Sequence, residues 1–108
     1  MISMEQTSPY KKDNEVLNLS FQFGLAIIVD TEKLQELRKF IMANQLFKSG
    51  TSIHANIREA QNAESKADFI HKMKVAAKEA EETDGWLLLC QFSPSYPDSS
   101  NSSNHWFI

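Results

Sequence analysis

The 108-residue sequence predicts an all-α fold. It is an up-down antiparallel helical bundle of the four-helix type, with the fourth helix missing from the pattern. Two rows of residues carry the prediction. Ala43, Leu46, Gly50, Ile53, Ile57 and Ala60 follow one another in steps of three and four, and so do Phe69, Met73, Ala76, Ala80, Thr83, Leu87 and Cys90. That spacing puts each row on one stripe of a helix, the face that packs on a neighbour. The third observation concerns strands. Leu17, Leu19, Phe21, Phe23, Leu25, Ile27 and Val29 alternate as in a strand, but no second such stretch exists and a lone strand has nothing to pair with.

Residues 1–12 form a polar arm, with Pro9 and the Lys11-Lys12 pair, that stays unordered unless something ties it down. The first helix covers about 13–32. Val16, Leu19, Phe23, Ala26 and Ile27 make it apolar nearly all round, so it must bury more than one side, most simply in a subunit interface. The polar run from Asp30 to about Arg38 holds the break. The second helix covers 40–61. Ser49-Gly50 is a turn-type pair, yet the apolar row crosses it unbroken, so Gly50 becomes a packing position inside the helix. The third helix covers 65–92, opened by a capping box of Ser65 and Asp68. Ile70 and Ala77 widen its stripe. Residues 93–108 are a Ser/Pro/Asn-rich tail in the place of the expected fourth helix.

Composition limits the function classes. No run of about 18 apolar residues exists to span a membrane. The first residues lack the basic-then-apolar pattern of a secretory leader. Cys90 is the only cysteine, which excludes an intrachain disulfide and a cysteine-based metal site and fits a reducing, cytoplasmic setting. The net charge of −3 is unevenly spread: −3 over residues 1–37, +5 over 38–78 and −5 over 79–108. The basic middle suits phosphate, or pairs with the acidic ends within the fold or between subunits.

Several segments then combine in order: Gln45-Leu46, Ser49-Gly50-Thr51-Ser52-Ile53, Ala55-Asn56-Ile57, Glu59-Ala60, Ser65-Lys66-Ala67-Asp68-Phe69-Ile70, Ala77-Lys78-Glu79-Ala80, Glu82-Thr83 and Trp86-Leu87. Over roughly residues 16–92 the chain thereby resembles the four-helix-bundle family encoded in intervening sequences of bacterial 23S rRNA genes. The resemblance implies an up-down four-helix bundle, a ring-shaped homopentamer and no known enzymatic activity. Related bundle proteins include the accessory subunit of diversity-generating retroelements, which binds nucleic acid and a reverse transcriptase. Three features depart from the pattern. His54 stands where the family usually has a small residue, Gly85 stands where a bulky aromatic usually precedes the tryptophan, and residues 99–108 lack a Leu- and Glu-rich helix.

The candidate residues follow. Arg38, Lys39, Lys48, Arg58, Lys66, Lys72, Lys74 and Lys78 are the nucleic-acid candidates. They carry no reading motif and no interleaved aromatics, but a homo-oligomer would repeat each one. Ser52, Asn56 and Glu59 share a helix row, and with Glu79, Glu82 and Thr83 they are candidates for a structural polar network that sets helix register, as against an exposed polar face. Di-iron bundles need Glu-x-x-His on two helices with further glutamates; here only Asp68-Phe69-Ile70-His71 approaches this, so no metal and no cofactor is expected. His54 reads as a partly buried or interfacial side chain. Cys90 lacks a basic neighbour to activate it. The expected protein is non-enzymatic. It is either a nucleic-acid (rRNA) associated scaffold or a protein-interaction module, such as an accessory ring for a reverse transcriptase. Its first partner is itself.

Overall fold

The computed structural model describes residues 8–96. Among them are three helices, α1 (Glu15–Glu36), α2 (Phe40–Ala60) and α3 (Lys66–Phe92), and no strand. The fold is all-α. Successive helices run antiparallel. Ile27 of α1 faces Gly50 of α2 while Ser20 faces His54, so numbers rise on one helix as they fall on the other. The pairs Ser49–Thr83 and Glu59–Lys72 set the same antiparallel register between α2 and α3. α2 is the central helix; α1 and α3 flank it and make few contacts with each other.

Local chemistry explains each boundary. The Asn14 side chain accepts a hydrogen bond from the Leu17 amide at 3.3 Å and caps α1. α1 continues past the predicted end near residue 32, through the polar run Asp30-Thr31-Glu32-Lys33, and stops at Glu36. Thr31 and Leu34 in this run are buried, which holds the extra turn in place. The stop is a Schellman-type closure. The Lys39 amide donates to the Leu34 carbonyl at 2.8 Å and the Arg38 amide to the Gln35 carbonyl at 2.9 Å. Arg38 takes the left-handed backbone (φ 63°) that glycine usually supplies there, at a cost of about 1–2 kcal/mol. With no Gly or Asn to mark it, this turn leaves no cap signal in the sequence, and only the polar run that ends at Arg38 points to the break. Ser65 caps α3, accepting from the Asp68 amide at 3.0 Å, while Asp68 Oδ2 accepts from the Glu64 amide at 3.2 Å, one residue earlier than a standard capping box.

The buried row of α2 is Ala43, Leu46, Ser49, Gly50, Ile57 and Ala60, with Ile53 half-buried beside it. Helix α2 passes through Gly50 without a turn. A Cβ at Gly50 would lie 2.7 Å from Cγ1 and 2.9 Å from both Cδ1 and Cγ2 of Ile27, whose side chain is 0% exposed. The missing side chain is what lets α1 and α2 close on each other. On α3 the buried residues are Ala76, Thr83, Leu87 and Cys90. Phe69, Ile70 and Ala80, expected on the buried stripe, are not buried, because α1 lies too far from α3 to cover that flank. α1 buries Leu17, Ile27 and Leu34 together with the small or polar Ser20, Gly24 and Thr31. Five further apolar residues, Val16, Leu19, Leu25, Ile28 and Val29, stay outside.

The core is therefore two clusters. Ile27, Leu34, Ala43, Leu46 and Leu87 fill one end, with Phe23, Met42, Trp86 and Tyr96 against them. Leu17, Ile57 and Ala76 fill the other, with Tyr10, Ile53 and Met73. Residues 1–7 of the predicted arm and residues 97–108 of the predicted tail lie outside the described residues. Within the described part of the arm, Tyr10 is tied down.

Candidate functional site

Tyr10 is held by His54. Its hydroxyl lies 3.0 Å from His54 Nε2, and Ser20 Oγ lies 3.2 Å from His54 Nδ1. Ser20 Oγ also donates to the Leu17 carbonyl at 2.9 Å. One hydroxyl carries one proton, so the consistent arrangement has His54 neutral, its Nδ1–H donating to Ser20 and its Nε2 accepting from Tyr10. The rings of Tyr10 and Phe21 pack on the imidazole at 5.5 and 5.4 Å between centroids. Burial lowers the His54 pKa below its ordinary value, and the Arg58 charge lowers it further. Ser8 and Asn18 are hydrogen-bonded beside this cluster. Ser20 is buried and already engaged with its own helix, so the Ser20–His54 contact orients the ring and leaves no free nucleophile. No sequence pattern points to Tyr10 or Ser20 as partners of His54, since they lie 44 and 34 residues away.

The polar residues between α2 and α3 form two groups, with Asn56 and Glu59 outside both. Thr83 Oγ1 lies 2.9 Å from Ser49 Oγ and 2.8 Å from the Glu79 carbonyl, in a fully buried contact. Ser49 is absent from the predicted network because its row reads as apolar only when Gly50 represents it. Above this pair Glu79 sits half-buried with Ser52 and Glu82 as hydrogen-bonding neighbours. Burial raises the Glu79 pKa, and Glu82 raises it further by hydrogen bond and by charge; Ser52 and Lys78 work against the rise. Asn56 and Glu59 stand apart from these groups. The Asn56 amide donates to the Ser52 carbonyl of its own helix at 2.8 Å, and Glu59 pairs with Lys72 at 2.8 Å near the surface. Ser52 Oγ likewise lies 2.6 Å from the Lys48 carbonyl.

The predicted cations do not form one patch. Arg38 and Lys39 lie at the α1–α2 turn, and Lys66 starts α3 at the opposite end of the bundle. Lys39 Nζ lies 5.0 Å from the centroid of the Tyr96 ring. Lys72 is committed to Glu59, whose hydrogen bond raises its pKa. Lys48, Arg58, Lys74 and Lys78 are exposed, and the antiparallel register puts Arg58 level with Lys74. Among the described residues no group of three or more His, Cys, Asp or Glu is placed to hold a metal ion. Cys90 is buried, which raises its thiol pKa and keeps it protonated.

A concavity lies at the end of α3. It is an open apolar groove of about 620 Å³ lined by Glu82, Gly85, Trp86, Leu88, Leu89 and Phe92. The indole Nε1–H of Trp86 and Oδ1 of Asp84 are buried without a hydrogen-bond partner among the described residues. No helix of the described chain is long and apolar enough to cross a membrane.

The architecture defines an all-α antiparallel helical protein, with structural polar contacts between its helices and much apolar surface left outside. Comparison with known proteins narrows this class. The family described as 23S rRNA-intervening sequence protein matches residues 12–102, and the chain belongs to that family. A crystal structure of a protein of unknown function from the S23 ribosomal protein family of Bacteroides thetaiotaomicron is similar in sequence and in fold. It is 40% identical, the match covers 84% of this chain and 90% of that one, and the TM-score is 0.70. No curated protein matches the chain.

Proposed function

We propose that this protein is a non-enzymatic helical scaffold that works as a homo-oligomer and associates with RNA, ribosomal RNA first. The observation that carries the reading is the apolar surface left uncovered on every helix: Val16, Leu19, Ile28 and Val29 on α1, Phe40, Ile41 and Phe47 on α2, Leu88, Leu89 and Phe92 on α3. Nothing among the described residues covers them, whereas packed copies would bury them and supply the fourth side that a four-helix bundle requires. The family resemblance favours five copies. The exposed cations Lys48, Arg58, Lys74 and Lys78 are then repeated around the assembly, and weak phosphate contacts add up. The family's connection with 23S rRNA genes makes ribosomal RNA the first ligand to try.

A second reading has its own observation. The net charge is −3, Lys72 is neutralised by Glu59 and the cations are scattered, which suits a module that binds another protein, such as a reverse transcriptase, without touching RNA. Electrophoretic mobility shift with a 23S rRNA fragment separates the two. The RNA reading expects binding at low salt that weakens steadily as salt rises, and a shallower salt dependence for a Lys74→Gln, Lys78→Gln variant. No shift at low salt overturns the RNA reading and leaves the protein-interaction one.

A further inference from the structure

We propose that residues 8–13 form a strap latched by Tyr10 on His54, and that protonation of the imidazole unlatches it. The strap lies ahead of α1, outside the helices, so it can move without breaking a helical turn. Tyr10 is its middle. That ring meets Phe21 of α1 at 5.7 Å between centroids and packs against a cluster to which all three helices contribute, Leu17 from α1, Ile57 from α2 and Ala76 from α3. Asn18 of α1 fastens the strap on either side of Tyr10, accepting from the Ser8 hydroxyl and donating to the Lys11 carbonyl at 2.7 Å. Neither contact involves a group that titrates near neutral pH. The Tyr10 hydroxyl on His54 Nε2 does.

Protonation reverses the sense of that contact. Ser20 Oγ directs its own hydrogen to the Leu17 carbonyl, so Nδ1 already carries a hydrogen and an added proton goes to Nε2, the atom that accepts from Tyr10. Two donors then face each other. The imidazolium also demands more water than the neutral ring. Tyr10 covers it from the strap and Ser20 and Phe21 from α1, and none of these brings a carboxylate to offset the charge. On α2 the charge that acts on it is Arg58, of the same sign. α3 brings Met73 and Ala76 to this end; of its titratable groups there, Lys72 pairs with Glu59, and His71, Lys74 and Lys78 are exposed. Lys11, Lys12 and Asp13 on the strap and Glu15 at the start of α1 are exposed as well. Ser20 and Phe21 are fixed in a helix, whereas Tyr10 is not, so Tyr10 gives way. Linkage sets the direction: whatever share of the ring's burial the strap supplies reappears as release when the proton binds. The strap is closed at neutral pH and open in mild acid, where the Leu17–Ile57–Ala76 cluster loses its aromatic cover.

The test follows the full chain by NMR, isotopically labelled in the rings of its two tyrosines and three histidines, from about pH 8 to about pH 4.5, with helicity by circular dichroism at each point. In the closed strap the rings of Phe21 and His54 displace the Tyr10 resonances, and Tyr96 is the reference within the same chain. The displacement should be lost in step with protonation of His54, with helicity unchanged through that step. His54→Gln should show no such step. Tyr10→Ala, a change outside the helices, should make His54 titrate at a higher pH than in the wild type. Tyr10 resonances that stay displaced while His54 is protonated, the same step in His54→Gln, helicity lost together with the displacement, or an unmoved His54 titration in Tyr10→Ala would each overturn the latch.

Discussion

At the scale of single residues, Gly50 decides how closely α1 and α2 approach. The three Ile27 carbons within 2.9 Å of the place a methyl group would take there belong to a fully buried, β-branched side chain with no room to turn. Gly50→Ala gains up to about 1 kcal/mol of helix propensity and forces an overlap that costs about 1–3 kcal/mol. The expected outcome is net destabilisation in urea unfolding, lessened when Ile27→Val is added. Gly85→Ala is the control. Nothing lies within 4 Å of its Cβ position, so the propensity gain stands alone and stability should rise by up to about 1 kcal/mol. Gly50 is legible as a packing position because the apolar row crosses it. Which atom it faces is not, because Ile27 also belongs to a stretch that alternates like a strand.

At the scale of helix pairs, the two joints of α2 respond to pH with opposite sign. At the α1–α2 joint His54 has a lowered pKa, so the folded chain holds its proton less tightly than the unfolded chain. Its contribution is full above the ordinary imidazole value of about 6.5 and is lost as pH falls below it. At the α2–α3 joint Glu79 has a raised pKa, so the folded chain holds its proton more tightly. Its charged form weakens the fold above the raised value, and the penalty disappears as pH falls through the carboxylate range. Urea titrations from pH 8 to 4 should show stability of the wild type declining below about pH 6.5, a decline reduced in His54→Gln. Glu79→Gln should be more stable than wild type at about pH 7 and lose that advantage near the ordinary carboxylate value of about 4.3. α2 and α3 are readable from the spacing of their apolar rows, whereas α1 is readable as a helix because its strand-like alternation has no second strand to pair with. These joints are only partly readable. The spacing brings Ser52, Glu79 and Glu82 to one side, but Glu59 goes to Lys72 because the register places them 2.8 Å apart, and the Tyr10–His54 contact spans a distance in sequence that no helical repeat connects.

At the scale of the whole molecule, the described chain has two small core clusters and more large apolar side chains outside than inside. Among the described residues one helix flanked by two others leaves an open side, and the proposed association would cover it. Binding between folded copies raises the melting temperature by mass action. If the proposed association holds, the midpoint of thermal unfolding should climb with protein concentration. A concentration-independent midpoint would count against assembly.

The placement of α2 between its neighbours also bears on how the protein is made. Each close helix pair joins segments adjacent in the chain, so folding requires no distant search and short loops close first. During synthesis the residues of α1 and α2, Ile27 and Gly50 among them, emerge before those of α3. Ser49 and Ile57 have their α3 neighbours Thr83 and Ala76 only after α3 follows. The face of α2 that α3 covers is therefore the last interhelical surface of the described chain that synthesis can complete.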